Sequence, residues 1–253
     1  MEGSIQLVRS ALTEILPFRN LYLRDMNCQV RYHAVHERGW SDSYLVTMED
    51  VPIGYASVKG KDNLKDRDTI FEFYLAPPYR PASQQVFSQL TRLPGLHYIE
   101  CQSNDPFLTP WLFQFGEGIV SDTILFGEHR ISNRRLDDVT FRPRLETDPI
   151  FLHQQEPIGD YVLVHENVIV ATGGFLLHYN PPFADLYMEV MPEYRRRGFG
   201  SYLLQELIRK CYNSGRIPAA RCHVNNIASK ASLMRAGLQV VGYMLIANIR
   251  NGL

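Results

Sequence analysis

Three blocks of the first half of the chain recur, in the same order, in the second half. YLVTMEDVPIGYASV (44–58) lines up with YVLVHENVIVATGGF (161–175), 117 residues on. TIFEFYLAPPYR (69–80) lines up with ADLYMEVMPEYR (184–195), 115 residues on, and IECQSND (99–105) with ARCHVNN (220–226), 121 residues on. The last offset continues, setting Gly116 on Gly237 and VSDTILF (120–126) on VGYMLIA (241–247). Matches in order at nearly constant spacing imply a duplicated fold, because a repeated block builds a repeated structural unit. The chain of 253 residues is long enough for each half to bury a core of its own.

Each half reads as mixed α/β. The first block is two strands around a turn at Glu49-Asp50 or Glu166-Asn167, a hairpin signal. A strand follows and ends before Pro77 or Pro192, and a helix comes next. In the second half this helix is SYLLQELIRKCYNSG, where Leu204, Leu207, Ile208 and Cys211 fall on one face, Arg209 and Lys210 occupy the last turns and Gly215 supplies a stop. Then come a strand (AARCHV), a short helix (IASKASLMRAG) and a last strand (LQVVGYMLIANI). Alternation of this kind predicts a central mixed sheet. The starts of the halves differ. The first has LTEILPFRNLYLRDMNC, a region for a pair of helices; the second has only VTFRPRLETDPIFLHQQEPIG. The polar stretch SNRRLDD places the boundary at 138, giving halves of 1–138 and 139–253.

Composition narrows the partners. The formal net charge is −1, so bulk attraction to nucleic acid or to an anionic membrane is not expected. No stretch approaches 18 apolar residues, and the N-terminal sequence lacks the basic and long apolar regions of a secretory signal. Cys28, Cys101, Cys211 and Cys222 form neither a CxxC pair nor a zinc spacing, so thiols in a reducing compartment, the cytoplasm, are expected and no metal site is.

Against that balance the cluster Arg195-Arg196-Arg197-Gly198-Phe199-Gly200 stands out. It lies between a strand and a helix. The first N–H groups of a helix have no internal acceptors, the helix dipole favours negative charge there, glycines admit close approach and arginines add charge-assisted bonds. The pattern fits a diphosphate cradle; in isolation it also fits a solvated basic turn. It is neither GxxxxGK[ST] nor GxGxxG. The first half has Pro81, Ser83 and Gln85 at the positions of Arg196, Gly198 and Gly200.

The stretch EVMPEYRRRGFGSYLLQELI resembles motif A of the GNAT superfamily of N-acetyltransferases, [R/Q]-x-x-G-x-[G/A] between a strand and a helix, with Arg195, Gly198 and Gly200 in the defined positions. VNNIASKASLMRAGLQVVGY resembles motif B, N-x-x-A-x-x-L-Y-x-x-x-G-F, through Asn226 and Gly237, with Leu238 in place of the aromatic. The resemblance covers about 95 residues of the second half closely and, through the duplication, most of the first half loosely. It implies two tandem GNAT-like domains, the second binding acetyl-CoA and the first degenerate, without a pyrophosphate loop, supporting an acceptor site between the halves. It implies that backbone from Arg196 through Arg197, Gly198, Phe199 and Gly200 to Ser201 holds the pyrophosphate, with Arg195 at the rim. Met188 to Met191 would pair with the pantetheine arm, the N–H near Val190 would polarise the thioester carbonyl, and Asn226 and Ser229 would orient the cofactor.

The reaction implied is direct acetyl transfer to a small-molecule amine, with a non-catalytic acyl-CoA sensor or scaffold as the alternative. An amine acceptor must lose a proton, and carboxylates of the strand FADLYMEV, Asp185 or Glu189, are candidate bases, with His178 and His223 behind them. Leu233 occupies the place of the family's tyrosine general acid. Arg221 stands where enzymes acting on protein N-termini often carry Glu, and reads either as a contact for an acidic acceptor or as a surface charge. Trp40, Tyr44 and Trp111 read as core residues or as pocket walls.

Overall fold

A computed structural model describes residues 4–250. In chain order the elements are β1 (Ile5–Ser10), α1 (Leu12–Met26), α2 (His33–Glu37), β2 (Ser41–Met48), β3 (Val51–Lys59), β4 (Thr69–Leu75), α3 (Ser83–Leu90), β5 (Tyr98–Gln102), α4 (Thr109–Phe115) and β6 (Gly116–His129). The second half continues with β7 (Val139–Pro143), β8 (Tyr161–His165), β9 (Val168–Leu176), β10 (Phe183–Val190), α5 (Phe199–Asn213), β11 (Ile217–His223), α6 (Ile227–Ala236) and β12 (Leu238–Ile249). A 3-10 segment precedes α3 (Pro77–Ala82) and another follows β10 (Pro192–Tyr194). The region expected to hold a helix pair is one 15-residue helix, α1, with the short α2 after it.

Two compact units result. Unit 1 is Met1–Asp122 with Gly242–Leu253, and unit 2 is Thr123–Val241. These limits differ from the repeat boundary at 138, because β6 and β12 are long strands that each begin in one unit and end in the other. Within unit 1 the strand order is β1-β2-β3-β4-β5-β12, and within unit 2 it is β6-β11-β10-β9-β8-β7.

The duplication is visible atom by atom. Glu49-Asp50 and Glu166-Asn167 both take left-handed φ values, 50° and 65° in the first pair, 50° and 64° in the second, as a two-residue hairpin turn requires. The hairpins carry matching irregularities at Val46/Thr47 and Leu163/Val164. Past the third strand, Ala76 N–H donates to Ile53 O and Met191 N–H to Val170 O, each at 2.9 Å. Arg80 Nε donates to Leu75 O at 3.4 Å, and Arg195 Nε to Val190 O at 3.1 Å.

In unit 2, α5 lays Leu203, Leu204, Leu207, Ile208 and Cys211 on Leu163, Val170, Ala184, Leu186 and Ala220 of the sheet, and Leu233 and Ala236 of α6 close the same core. Full burial of such side chains contributes roughly 1.5–3 kcal/mol each. In unit 1 both sheet faces are covered. Val86, Phe87 and Leu90 of α3 pack on one, with Tyr44 and Trp111 at its margin, and Ile15, Tyr22 and Met26 of α1 on the other. β4 is accordingly buried along its whole length. Trp40 is half-buried beneath the Arg38 guanidinium.

Candidate active site

β10 pairs with β9 from Asp185 to Val190, but with β11 only from Phe183 to Asp185. Beyond Asp185 the two parallel strands part, and among the described residues no strand pairs with the backbone of 186–190 on that side. A cleft of about 930 Å³ adjoins this gap, lined by Met188, Glu189 and Val190, by Arg195, Arg196 and the start of α5, and by His223, Asn226 and one side of α6.

The start of α5 is shaped for an anion. Arg196 takes φ 64° and Gly198 φ 92°. Left-handed residues on either side of Arg197 can turn backbone N–H groups toward an anion, and no side chain caps the helix. The two glycines have separate reasons. Gly198 is required by its φ, since a Cβ there would meet nothing nearer than Leu136 Cδ2 at 3.8 Å. Gly200 sits in tight packing, since a Cβ would stand 3.1 Å from Met188 Cε and 3.3 Å from Val190 Cγ2. It lets α5 lie close on β10.

Of the residues expected to hold the cofactor, Val190, Arg195, Arg196, Gly198, Phe199, Gly200, Ser201, Asn226 and Ser229 line the cleft. Two do not. The Arg197 side chain turns onto the rings of Tyr194 and Phe199, 5.2 and 5.3 Å from their centroids, and toward His165. Met191 is held at the strand end by its N–H bond to Val170 O. Asn226 Oδ1 accepts the Ser229 N–H at 3.0 Å and so caps α6.

The acidic residues divide by what holds them. Glu189 is 5 % exposed and accepts the N–H groups of Gln154 (2.9 Å), Gln155 (3.0 Å) and Glu156 (3.0 Å). Burial raises its pKa, but these bonds and the nearby His153 outweigh that and hold it below the usual range. A carboxylate so occupied is a poor proton acceptor. Asp185 is also 5 % exposed; one oxygen lies 2.9 Å from His178 Nε2 and 3.6 Å from an Arg221 nitrogen, and the other has no hydrogen-bond partner. Neither Asp185 nor His178 lines the cleft. Arg221 is thereby engaged with Asp185 rather than standing as an isolated surface charge.

Sequence reasoning passed over Glu156. It sits on the irregular segment between β7 and β8, which carries no periodic signal, and it lines the cleft. Its pKa is raised, first by desolvation and then by Asp185, against the opposing pull of Arg221. Leu233 is 3 % exposed within the unit 2 core and offers the cleft nothing. His223 and Ser232 are protic groups that do line it. His223 Nδ1 accepts the Asn225 N–H at 3.1 Å, so the neutral ring carries its proton on Nε2. Among the described residues no cluster suited to a metal ion occurs, and no helix is long and apolar enough to cross a membrane.

Residues 129–238 match the model of the Acetyltransferase (GNAT) family. An acetyltransferase of the GNAT family from Colwellia psychrerythraea superposes with a TM-score of 0.73 at 12 % identity, over 98 % of this chain and 100 % of that one. A tandem GNAT protein from the clavulanic acid biosynthesis pathway, solved without AcCoA, gives 0.58 at 11 % identity over 98 % and 100 %. A GCN5-related N-acetyltransferase from Sphaerobacter thermophilus gives 0.56 at 15 % over 98 % and 97 %. At these identities the likeness is one of fold. A search of curated proteins found no match.

Proposed function

We propose that this chain, whose residues 129–238 are a GNAT acetyltransferase domain within a tandem GNAT fold, moves an acetyl group from acetyl-CoA directly to an amine of a small-molecule acceptor. The observation that carries the reading is the parting of β10 from β11 beside an uncapped helix start with two left-handed residues before it.

The cleft fits the cofactor in size and in kind. Its volume suits an extended ligand with a charged end. The N–H groups at the start of α5, with Arg195 and Arg196 at the rim, suit a diphosphate. The unpaired edge of 186–190 suits an extended amide arm, which adds to a free edge as a strand would. A backbone N–H of that edge can also meet charge developing on a carbonyl oxygen. When bound, acetyl-CoA supplies an acyl group already activated as a thioester. The chain's own residues then orient that group; His223, which lines the cleft and carries its ring N–H on Nε2, can donate a hydrogen bond there. No residue of this set requires a membrane or a nucleic acid.

The absence of a proton donor at Leu233 favours one alternative, an acyl-CoA-binding sensor or scaffold without turnover. Calorimetric titration of acetyl-CoA into the wild type and into Gly198→Glu tests the shared premise. The wild type should bind, and the variant should not, because it places a side chain and a negative charge at a left-handed position beside the diphosphate. If the wild type shows no binding, both readings fail. Thiol release with a panel of amines then separates enzyme from sensor.

A further inference from the structure

The geometry points to Glu156 as the group that takes the proton from the acceptor amine, with Glu189 as the positioning residue that holds it there. The inference rests on the acetyl-transfer reading above. Glu156 and Glu189 are the only carboxylates among the described residues that line the cleft. Glu189 spends both oxygens on backbone N–H groups, and the last of these belongs to Glu156 itself, at 3.0 Å. Glu189 immediately precedes Val190, whose N–H the acetyl-transfer reading sets at the thioester carbonyl. Glu156 is therefore pinned by its backbone at that end, while its side chain makes no hydrogen bond among the described residues.

The charged groups around Glu156 are Asp185 and Glu189 on β10, Arg221 on β11 and His153 on its own segment. Glu156 is an exposed residue, but partial desolvation at the cleft wall, with the Asp185 and Glu189 charges, raises its pKa, and Arg221 and His153 oppose them. A base whose pKa is raised toward the working pH accepts a proton more readily from an ammonium group.

The step balances as follows. The acceptor ammonium gives one proton to the Glu156 carboxylate. The freed lone pair forms the new C–N bond as the C–S bond breaks, and that bond's electron pair leaves on sulfur. A second proton leaves the nitrogen and is matched by one gained at sulfur, and Glu156 returns its proton to solvent. No oxidant or reductant is involved.

The test compares primary alkylamines, protonated at neutral pH, with hydroxylamine, which is largely unprotonated there and needs no base. CoA release from acetyl-CoA is measured for the wild type, Glu156→Gln and Glu189→Gln, with acetyl-CoA affinity by calorimetry alongside. Glu156→Gln should lose on the order of 100-fold in kcat with alkylamines, keep its rate with hydroxylamine, keep acetyl-CoA affinity and lose the acidic limb of the pH–rate profile. Glu189→Gln should lower kcat while retaining that limb, since Glu156 is still present but less well held. Equal losses with both nucleophiles, or an intact acidic limb in Glu156→Gln, would overturn the assignment. If the wild type binds acetyl-CoA but transfers to neither nucleophile, the transferase reading falls and this one with it; transfer by the wild type that is indifferent to Glu156 overturns this one alone.

Discussion

The same turn is built twice in this chain and reaches opposite outcomes. Arg80 and Arg195 both reach back to the carbonyl of the last strand residue. After Arg80 the backbone stays right-handed, running through a 3-10 segment directly into α3, with Pro81 lacking an N–H. After Arg195 it passes through left-handed Arg196 and Gly198 before α5 begins, and a cleft adjoins it. The arginine is thus part of the shared scaffold, while the anion geometry lies in the three residues that follow it.

The strand before the turn differs in the same way. Tyr74 and Glu189 occupy equivalent positions, and each holds whatever covers the sheet. Tyr74 donates to Asp25 of α1 at 2.9 Å, and Glu189 accepts from the backbone of 154–156. Two residues earlier, unit 1 has Glu72, which is 1 % exposed and takes Arg19 through two bonds of 2.9 and 3.0 Å, together with His36 and Tyr55. Burial opposes its charge, but Arg19 and His36 prevail and hold its pKa far below the ordinary range. A helix locked by a buried ion pair covers one face; a loop locked by three N–H groups covers the other.

The largest effect should come from breaking that lock. Glu72→Ala leaves Arg19 buried without its counter-charge and should destabilise by about 3–5 kcal/mol, read from the denaturant midpoint. Glu189→Ala should cost less, about 1–3 kcal/mol, because the released N–H groups lie on an exposed segment. Equal losses would break the distinction between the two covers.

Next is Gly200→Gln, which installs the residue found at the equivalent position 85. Its Cβ would stand 3.1 Å from Met188 Cε and 3.3 Å from Val190 Cγ2, so these side-chain ends at the cleft wall must shift by a few tenths of an ångström, a cost of about 1 kcal/mol. Acetyl-CoA affinity should fall, because Gly200 lines the cleft; an unchanged affinity would show that the glycine at this position is not what distinguishes the turns.

The smallest effect concerns the equivalent residues Asp105 and Asn226, each of which accepts backbone N–H groups that follow it. Asp105 Oδ1 accepts the N–H groups of Phe107 and Leu108 at 2.7 and 3.1 Å. Burial pushes its pKa up to about 6 in spite of those bonds. A raised carboxyl pKa stabilises the fold while protonated, so its contribution is full below the unfolded value of about 3.9 and is lost as the pH rises through about 6. Asp105→Asn, which adopts the residue of the second half, should remove that loss. Denaturant midpoints at pH 5 and pH 7 would differ less in the variant than in the wild type.

Much of this was legible in the residues. The offsets foretold two equivalent hairpins, and Glu49-Asp50 and Glu166-Asn167 make the same turn because the same φ signs are demanded. RRRGFG announced the helix start, and Asn226 its cap on α6. What was not legible involved pairs distant in sequence. Nothing local says that Glu189 will bind the segment 154–156, and so nothing local disqualifies it as a free base. Arg197 looked equivalent to its neighbours, but Tyr194 and Phe199 offered its guanidinium rings to lie on. Gly200 lines the cleft and also packs against Met188 and Val190, a second constraint that no local pattern announces.

The long strands have a consequence for synthesis. Residues 242–249 of β12 belong to unit 1, where Met244 to Asn248 pair with Tyr98 to Gln102 of β5. A ribosome that has delivered the whole first half has therefore not delivered all of unit 1. Until these late residues emerge, one edge of β5 stays open to whatever strand reaches it first. The part of the molecule that is made first is thus among the last to be finished, and premature termination within the second half would strand both.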